Sequence, residues 1–275
     1  MLCFGGTPIL KINLAAASSP LTSFPMNFRR AGTMTTLKTQ VSLDTTPQSP
    51  ASATPVETPL QAVTSPYQSP LFAVHPSIGS AAKRTLDILG ALVGLFIVAI
   101  MFIPLAIAIK LDNPGPICFS QERCGYRGQT FRMLKFRSMV VNAEALQHQV
   151  QNQASGHIFK NDRDPRVTRI GRILRQTSLD EFPQFWNVLM GDMSLVGTRP
   201  PTVKEVQEYT HRHWQRLEVK PGITGEWQVN GRSQVLDFEQ IVDMDMIYQN
   251  KWSVLYDLQI LLRTVWTVLH RDGAC

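Results

Sequence analysis

Two adjacent carboxylates, Asp180 and Glu181, stand at the head of an apolar segment, Phe182 to Leu189, and are approached through Thr177-Ser178-Leu179. Upstream lie Lys135, Arg137 and a ladder of arginines that ends at Arg175; downstream, Arg199 sits between Thr198 and two prolines. An anionic side chain among cations suits phosphate chemistry. The acid can act as nucleophile or metal ligand, and the cations absorb charge on phosphoryl oxygens. A capping role competes with this reading, because Ser178 followed by Glu181 spells a capping box. On that pattern both acids fall in the first helical turn, where the macrodipole favours their ionised form. Pro183 pulls the helix start later, since proline is easiest at the first helical position.

The cations are not equivalent. Arg163, Arg166, Arg169, Arg172 and Arg175 recur every third residue, interleaved with Val167, Ile170, Ile173 and Leu174. On a helix that spacing makes a drifting stripe, so the arginines cannot converge on one point. Arg175, about one turn before the acidic pair, is the best placed of them. Pro200 and Pro201 stiffen the backbone beside Arg199 and hold its guanidinium ready for bidentate binding of phosphate.

The elements that must position these groups read as α+β, mostly α. From Ile88 to Ile109 every residue is apolar, Gly or Pro, a run of about 22 residues or on the order of 33 Å as a helix, enough to cross a hydrocarbon core. Pro104 interrupts it late. Lys83 and Arg84 precede the run and Lys110, Arg123 and Arg127 follow it, so the positive-inside rule draws both ends to one side. A helix that enters and returns satisfies both ends, and a simple span remains open. Beyond the turn Asp112-Asn113-Pro114-Gly115-Pro116, Ile117 to Gln121 and Thr130 to Leu134 read as a hairpin around Gly125-Tyr126-Arg127-Gly128. The pattern predicts a polar helix over Val141 to Gln153, a helix from Phe182 to Leu189 ended by Gly191, a helix over Val203 to Trp214 and a short strand at Glu226 to Val229. Trp252 to His270 has helical spacing and suits either a core helix or an amphipathic helix in a membrane interface.

Composition narrows the class. Up to Ile78 the chain is rich in Ser, Thr and Pro with few charges, which reads as a disordered extension over residues 1–78 with no secretory signal pattern. Residues 79–112 read as the membrane-associated segment and 113–275 as a single domain, expected to carry the chemistry. The net charge of +6 is uneven: Arg123 to Arg175 holds 11 basic against 3 acidic residues, and Gln176 onward holds 9 against 13. Anionic lipid or nucleotide phosphate suits the basic stretch. The four cysteines make no zinc pattern and no disulfide framework, as in reducing cytoplasm.

Taken together the motifs closely resemble the bacterial sugar transferase family, the monotopic phosphoglycosyl transferases that act on polyprenyl phosphate. The resemblance runs from about Lys83 to the C-terminus. Its carriers are Lys83-Arg84-Thr85-Leu86-Asp87, Asn113 to Pro116, Lys135 to Met139, Thr177 to Gln184, Trp186 to Leu189, Gly191 to Ser194, Gly197 to Pro201, and Lys220 to Gln228 with Gly231-Arg232-Ser233. It implies transfer of a sugar-1-phosphate from a nucleotide diphosphate sugar, usually a UDP-sugar, to polyprenyl phosphate, with UMP released. Asp180 would be the nucleophile and Glu181 would bind Mg²⁺; Lys135, Arg137, Arg175 and Arg199 would contact phosphate. It also implies a re-entrant membrane helix, interfacial helices and an active site on the cytoplasmic face of the inner membrane. Two positions depart from the family pattern: Ile103 precedes Pro104 where members often carry Ser, and Thr198 stands where many carry Pro. The lipid bilayer is an expected partner, nucleic acid is not, and a homo-oligomer is left open.

Two other readings differ in kind. Asp162-Arg163-Asp164 and Asp243-Met244-Asp245 each match the D-x-D pattern of metal-dependent glycosyltransferases, which release UDP. A membrane-tethered binding protein without turnover would use the basic stretch alone. The acidic C-terminal half and the lack of a nucleic-acid module count against nucleic acid as its target.

Overall fold

The computed structural model describes residues 62–64, 74–231 and 235–270. Most of the 1–78 extension lies outside the described residues, as do Arg232 and Ser233 of the last motif. Within that extension, the Val63 N–H donates to Gly128 O (3.1 Å), and a helical turn, α1 (Pro76–Gly79), buries Ser77.

Ser80 opens the longest element, α2 (Ala81–Asp112), by accepting the Lys83 backbone N–H. The helix runs through Pro104 and stops at Asn113, where Pro114 and Pro116 forbid further turns. It is long and apolar enough to cross a membrane, and its apolar window is only 11 % buried, so it is not the domain's core helix. Leu92, Val93, Phe96, Ile100, Ile103 and Ile107 face outward.

Both ends of α2 are fastened to the same domain. At the start, Lys83 Nζ donates to Asp257 Oδ2 (2.7 Å), Val196 O (3.0 Å) and Tyr248 Oη (3.3 Å). Asp87 Oδ1 accepts from Ser194 Oγ and the Leu195 N–H. Gly90 and Gly94 leave room for Leu195 and Phe185, which a Cβ would strike. At the far end Phe102 packs on Phe136, Ile109 joins Phe136 and Leu174 in one apolar cluster, and Asp112 Oδ2 accepts the Ile170 N–H (2.9 Å).

The expected hairpin forms from β1 (Cys118–Cys124) and β2 (Thr130–Phe136), antiparallel, with Glu122 opposite Arg132. Alternation along β2 puts Phe131, Met133 and Lys135 on one face, and that face packs against α4 (Gln184–Met190). Asn187 of α4 locks the two together. Its Oδ1 accepts the Leu134 N–H (3.1 Å) and its Nδ2 donates to Arg132 O (2.8 Å), completing the free edge of β2.

Three sequence expectations need correction. Val141 to Gln153 is a series of turns with one 3₁₀ turn, because its apolar residues are too sparse to give a helix a face to bury. Glu226–Asn230 is helix α7, not a strand: parallel pairing ends with β3 (Ser194–Val196) on β4 (Gly222–Thr224), and Glu226 turns inward to accept from Tyr256 Oη and Asn230 Nδ2. Val203 to Trp214 divides into α5 (Val203–Gln207) and α6 (His211–Trp214), since Thr210 turns extended and caps the second piece. The arginine ladder is helical only in α3 (Arg169–Gln176). Helices α8 (Phe238–Lys251) and α9 (Val254–His270) close the domain.

Candidate active site

Thr177 ends α3, and its Oγ1 donates to Ile173 O. Ser178 then adopts a left-handed conformation (φ 57°), which reverses the chain into a 3₁₀ turn, Leu179–Glu181. The capping box expected of Ser178 and Glu181 does not form: Ser178 makes no side-chain cap, and α4 begins only at Gln184, after Pro183. A serine in the left-handed region cannot offer its oxygen as an extended cap residue does. The reversal instead turns neighbouring carboxylates to different surroundings. Asp180 is buried, and Glu181 lies on the wall of a cavity of about 660 Å³.

That cavity collects groups from elements far apart in the chain. Lys135 reaches it from β2 and pairs with Glu181 Oε1 at 2.9 Å. Arg199 and Pro200 enter from the loop after β3, Thr224, Trp227 and Gln228 from β4 and α7, and Thr264 and Val265 from α9. Asp180 and Arg175 do not themselves line the cavity: Asp180 is buried next in sequence to Glu181, and Arg175 is held by a bond from its Nε to Ser138 Oγ (3.0 Å), with its charge felt at Asp180. Gly171 permits this approach, since any side chain there would collide with the Ser138 backbone. Arg137 is not brought to the cavity. It is buried and donates to Asn113 O and Pro114 O, so it fixes the turn after α2 instead of facing substrate.

Burial raises the Asp180 pKa above its ordinary value; Lys135 opposes the shift, Glu181 adds to it and Arg175 opposes it. The expected helix-dipole support is not what sets its charge. Burial dominates it and Lys135 and Arg175 oppose burial, so substrate-borne charge will change it.

Arg199 is held by geometry the sequence only hinted at. Gly197, Gly222 and Gly225 let two backbones cross so closely that a Cβ on any of them would meet main-chain atoms. Arg199 Nη1 and Nη2 donate to Glu205 Oε2 (2.8 Å) and Oε1 (3.3 Å). Burial pushes Glu205 up, but Arg199 with its hydrogen bonds, and then Arg123 and Arg216, outweigh it and hold the carboxyl below its usual range. Two of the five guanidinium donors are therefore occupied, and the rest are free to meet an anion in the cavity. Beneath the loop, Arg216 Nε donates to Asp245 Oδ2 (2.7 Å), both side chains 1 % exposed, and Arg216 O accepts from Thr198 Oγ1.

Arg123 is the cation that sequence reasoning missed. It lines the cavity and donates to Pro200 O (3.0 Å) and, through two nitrogens, to Gln121 Oε1. Burial, followed by the nearby Arg199 charge, lowers its pKa to about 10. Its position depends on a bridge between β1 and Thr202, a contact across the chain with no local signature.

Neither D-x-D pattern gathers a metal site. Asp162 pairs with Lys160, Asp164 with Arg166, Asp243 with Arg212 and Asp245 with Arg216. No cluster of three His, Cys, Asp or Glu side chains suited to a metal occurs among the described residues. Glu181 on the cavity wall is a carboxylate of the kind Mg²⁺ takes, since that ion needs only one or two carboxylates when substrate phosphates and water complete its shell.

The family profile described as bacterial sugar transferase matches residues 78–271, the whole stretch that builds this cavity. The chain belongs to the bacterial sugar transferase family. It is 52 % identical over 195 residues to the "Galactosyl transferase CpsE" of Streptococcus agalactiae, covering 70 % of this chain and 43 % of the relative. Against the "UDP-glucose:undecaprenyl-phosphate glucose-1-phosphate transferase" of Escherichia coli the identity is 39 % over 209 residues, 73 % of this chain and 42 % of the relative. Against the "Exopolysaccharide production protein ExoY" of Rhizobium meliloti it is 35 % over 227 residues, 78 % of this chain and all of the relative. This bacterial sugar transferase thus spans less than half the length of the first two relatives and the full length of the third.

Within the family framework the Lys83-to-Asp87 motif gains a structural meaning. Arg84 Nη1 and Nη2 donate to Val188 O and Leu189 O, both at 2.7 Å, and cap the end of α4. The membrane-length helix is thereby bonded to the helix that follows the acidic turn.

Proposed function

We propose that the chain transfers a sugar-1-phosphate from a UDP-sugar to a polyprenyl phosphate, giving a polyprenyl diphosphate sugar and UMP, an opening membrane step of exopolysaccharide, O-antigen or glycoconjugate assembly. The observation that carries this reading is the buried Asp180 beside Glu181 and Lys135, at a cavity also edged by Arg123 and Arg199. The relatives named for UDP-glucose and undecaprenyl phosphate support the donor and acceptor classes.

An Asp180 carboxylate oxygen attacks the phosphorus that bears the sugar, and the diphosphate P–O bond breaks, releasing UMP. A phosphate oxygen of the polyprenyl phosphate then attacks the same phosphorus and returns Asp180 as a carboxylate. No proton is gained or lost across the two steps. An aspartate meets a diphosphate only if cations offset their repulsion, and Lys135, Arg199 and Arg123 supply that charge. Bound Mg²⁺ would add charge neutralisation at the diphosphate, with Glu181 as its protein ligand. Arg175 acts on Asp180 through its field, and Arg137 acts on the turn that follows α2.

The anchoring of both ends of α2 on one domain supports a re-entrant helix, because a straight crossing would part its ends by about 30 Å of hydrocarbon. Exposed Leu255, Leu258, Leu262, Val265 and Trp266 on α9, with Trp186 and Met190 on α4, give an apolar surface suited to the bilayer interface. On this reading the domain lies on the cytoplasmic face of the inner membrane, where a polyprenyl phosphate presents its head group.

The test uses membranes containing the full chain, Mg²⁺, polyprenyl phosphate and a panel of UDP-sugars, with UMP as readout. UMP formed together with a lipid diphosphate sugar supports the reaction, and UDP in place of UMP sinks it. Radiolabel from the β-phosphate should stay on the protein when acceptor is withheld, and Asp180→Asn should remove it.

A further inference from the structure

Among the buried polar atoms that make no hydrogen bond within the described residues, two belong to residues that line the cavity: Trp227 Nε1 and Gln228 Oε1. A buried donor and a buried acceptor left unmet are costly, and folding alone gives no reason to retain them on consecutive residues of α7. Gln228 Oε1 lies beside the backbone crossing that carries Arg199, 3.0 Å from where a Cβ on Gly225 would stand. An uncharged donor and acceptor therefore belong to residues that line the same cavity as Arg123, Lys135 and Arg199.

From this we infer that Trp227 and Gln228 are specificity-determining residues that read an uncharged group of the nucleotide sugar, one offering both a donor and an acceptor. The inference rests on the proposed transfer reaction and deepens it. A phosphate oxygen does not match the pair, because it only accepts and Gln228 Oε1 would repel it. A sugar hydroxyl or the imide edge of a uracil base matches, since each can accept from the indole N–H and donate to the amide oxygen. Sites that hydrogen-bond a substrate group discriminate strongly against analogues that lack it, because the site's own groups are then left unmet.

Binding is the readout, so the test stands apart from turnover. Full-length chain in detergent micelles is titrated with UDP-galactose, UDP-glucose, UDP-N-acetylgalactosamine and UMP, for the unaltered protein, Trp227→Phe and Gln228→Met. Each variant is expected to bind the preferred UDP-sugar about 5- to 50-fold more weakly, with a melting temperature unchanged or raised, because an unmet polar atom has been removed. Equal weakening toward UMP assigns the pair to the base; UMP binding left intact assigns it to the sugar. Unchanged affinity for every ligand overturns the inference, as does weaker binding that tracks a fall in melting temperature in both variants. Intact UDP-sugar binding with no UMP release would instead overturn the transfer reaction while leaving this pair measurable.

Discussion

Two lysine–carboxylate pairs use the same residue types for opposite ends. Lys83 and Asp257 are 6 % and 0 % exposed, and every bond they need is present: Asp257 also accepts from Tyr248 Oη (2.9 Å) and Trp252 Nε1 (3.2 Å). Lys135 and Glu181 are 26 % and 34 % exposed at a cavity edge, and the neighbouring Asp180 is buried with its pKa raised by burial. The first pair is saturated and fixes α2 to α8, α9 and β3. The second stands at the cavity edge, where a ligand can reach it, and its sequence neighbour Asp180 is buried with a raised pKa. Full burial marks structure here and partial exposure at a cavity marks chemistry.

The sharpest break in that contrast is Asp180→Asn. Transfer should fall to background, since the amide is no nucleophile, while the protein melts at the same temperature or higher. The sign follows from linkage. A folded pKa above the ordinary aspartate value means that stability declines as pH rises from that value through the raised one. The variant's advantage should therefore be present at neutral pH and vanish as pH falls toward 4. Thermal melts at several pH values check it, and a variant less stable at pH 7 would contradict the burial argument.

Asp257→Asn should do the reverse, leaving Lys83 buried without its counter-charge. The expected cost is about 3–5 kcal/mol, a fall in melting temperature on the order of 10 °C, with turnover per folded molecule little altered. A double variant, Lys83→Met with Asp257→Leu, should recover most of the loss because neither charge then lacks a partner. Failure of that recovery would mean that the remaining polar groups, Tyr248 and Val196 O, carry the anchor.

Lys135→Met removes a cation from the site without touching the nucleophile. Turnover should drop by about 10²–10³-fold. The acid limb of the kcat profile should also move to higher pH, because Asp180 must be ionised to attack and Lys135 is the charge that most opposes its upward shift. A loss of turnover with no movement of that limb would make Lys135 a substrate ligand alone.

How far the chain could be read before folding depends on the range of each signal. The hairpin was legible because strand alternation and the Gly125–Gly128 turn are local, and α2 because 22 apolar residues need no partner to be recognised. Asp180 and Glu181 stood out as a pair, yet their division into buried and cavity-facing groups comes from Ser178's left-handed backbone, which the cap-like spacing concealed. Arg137 looked equivalent to Lys135 two residues away. Alternation puts both on one face of an ideal strand, but β2 ends at Phe136, and beyond it Arg137 turns to the Asn113 loop. Glu226 to Val229 read as a strand because valine and tryptophan favour sheets, and burial of Glu226 against Tyr256 overrode that preference. Arg123, Trp227 and Gln228 join the site only through loop crossings that short-range patterns do not encode.

The finest distinction between the two regions lies in how each uses a guanidinium. Arg216 donates through all three of its nitrogens, to Asp245, Tyr209 Oη and Arg199 O, whereas among the described residues the Arg199 guanidinium donates to Glu205 alone. Arg199→Lys preserves the charge and a contact to Glu205 but loses the planar fork, so it should weaken UDP-sugar binding by only about tenfold. The same exchange at Arg216 should unfold the loop instead, because a lysine cannot meet three partners in one plane. Measuring KM and melting temperature for both variants separates them. If Arg199→Lys loses stability as Arg216→Lys does, the reserve at Arg199 is illusory and its role is to hold the loop.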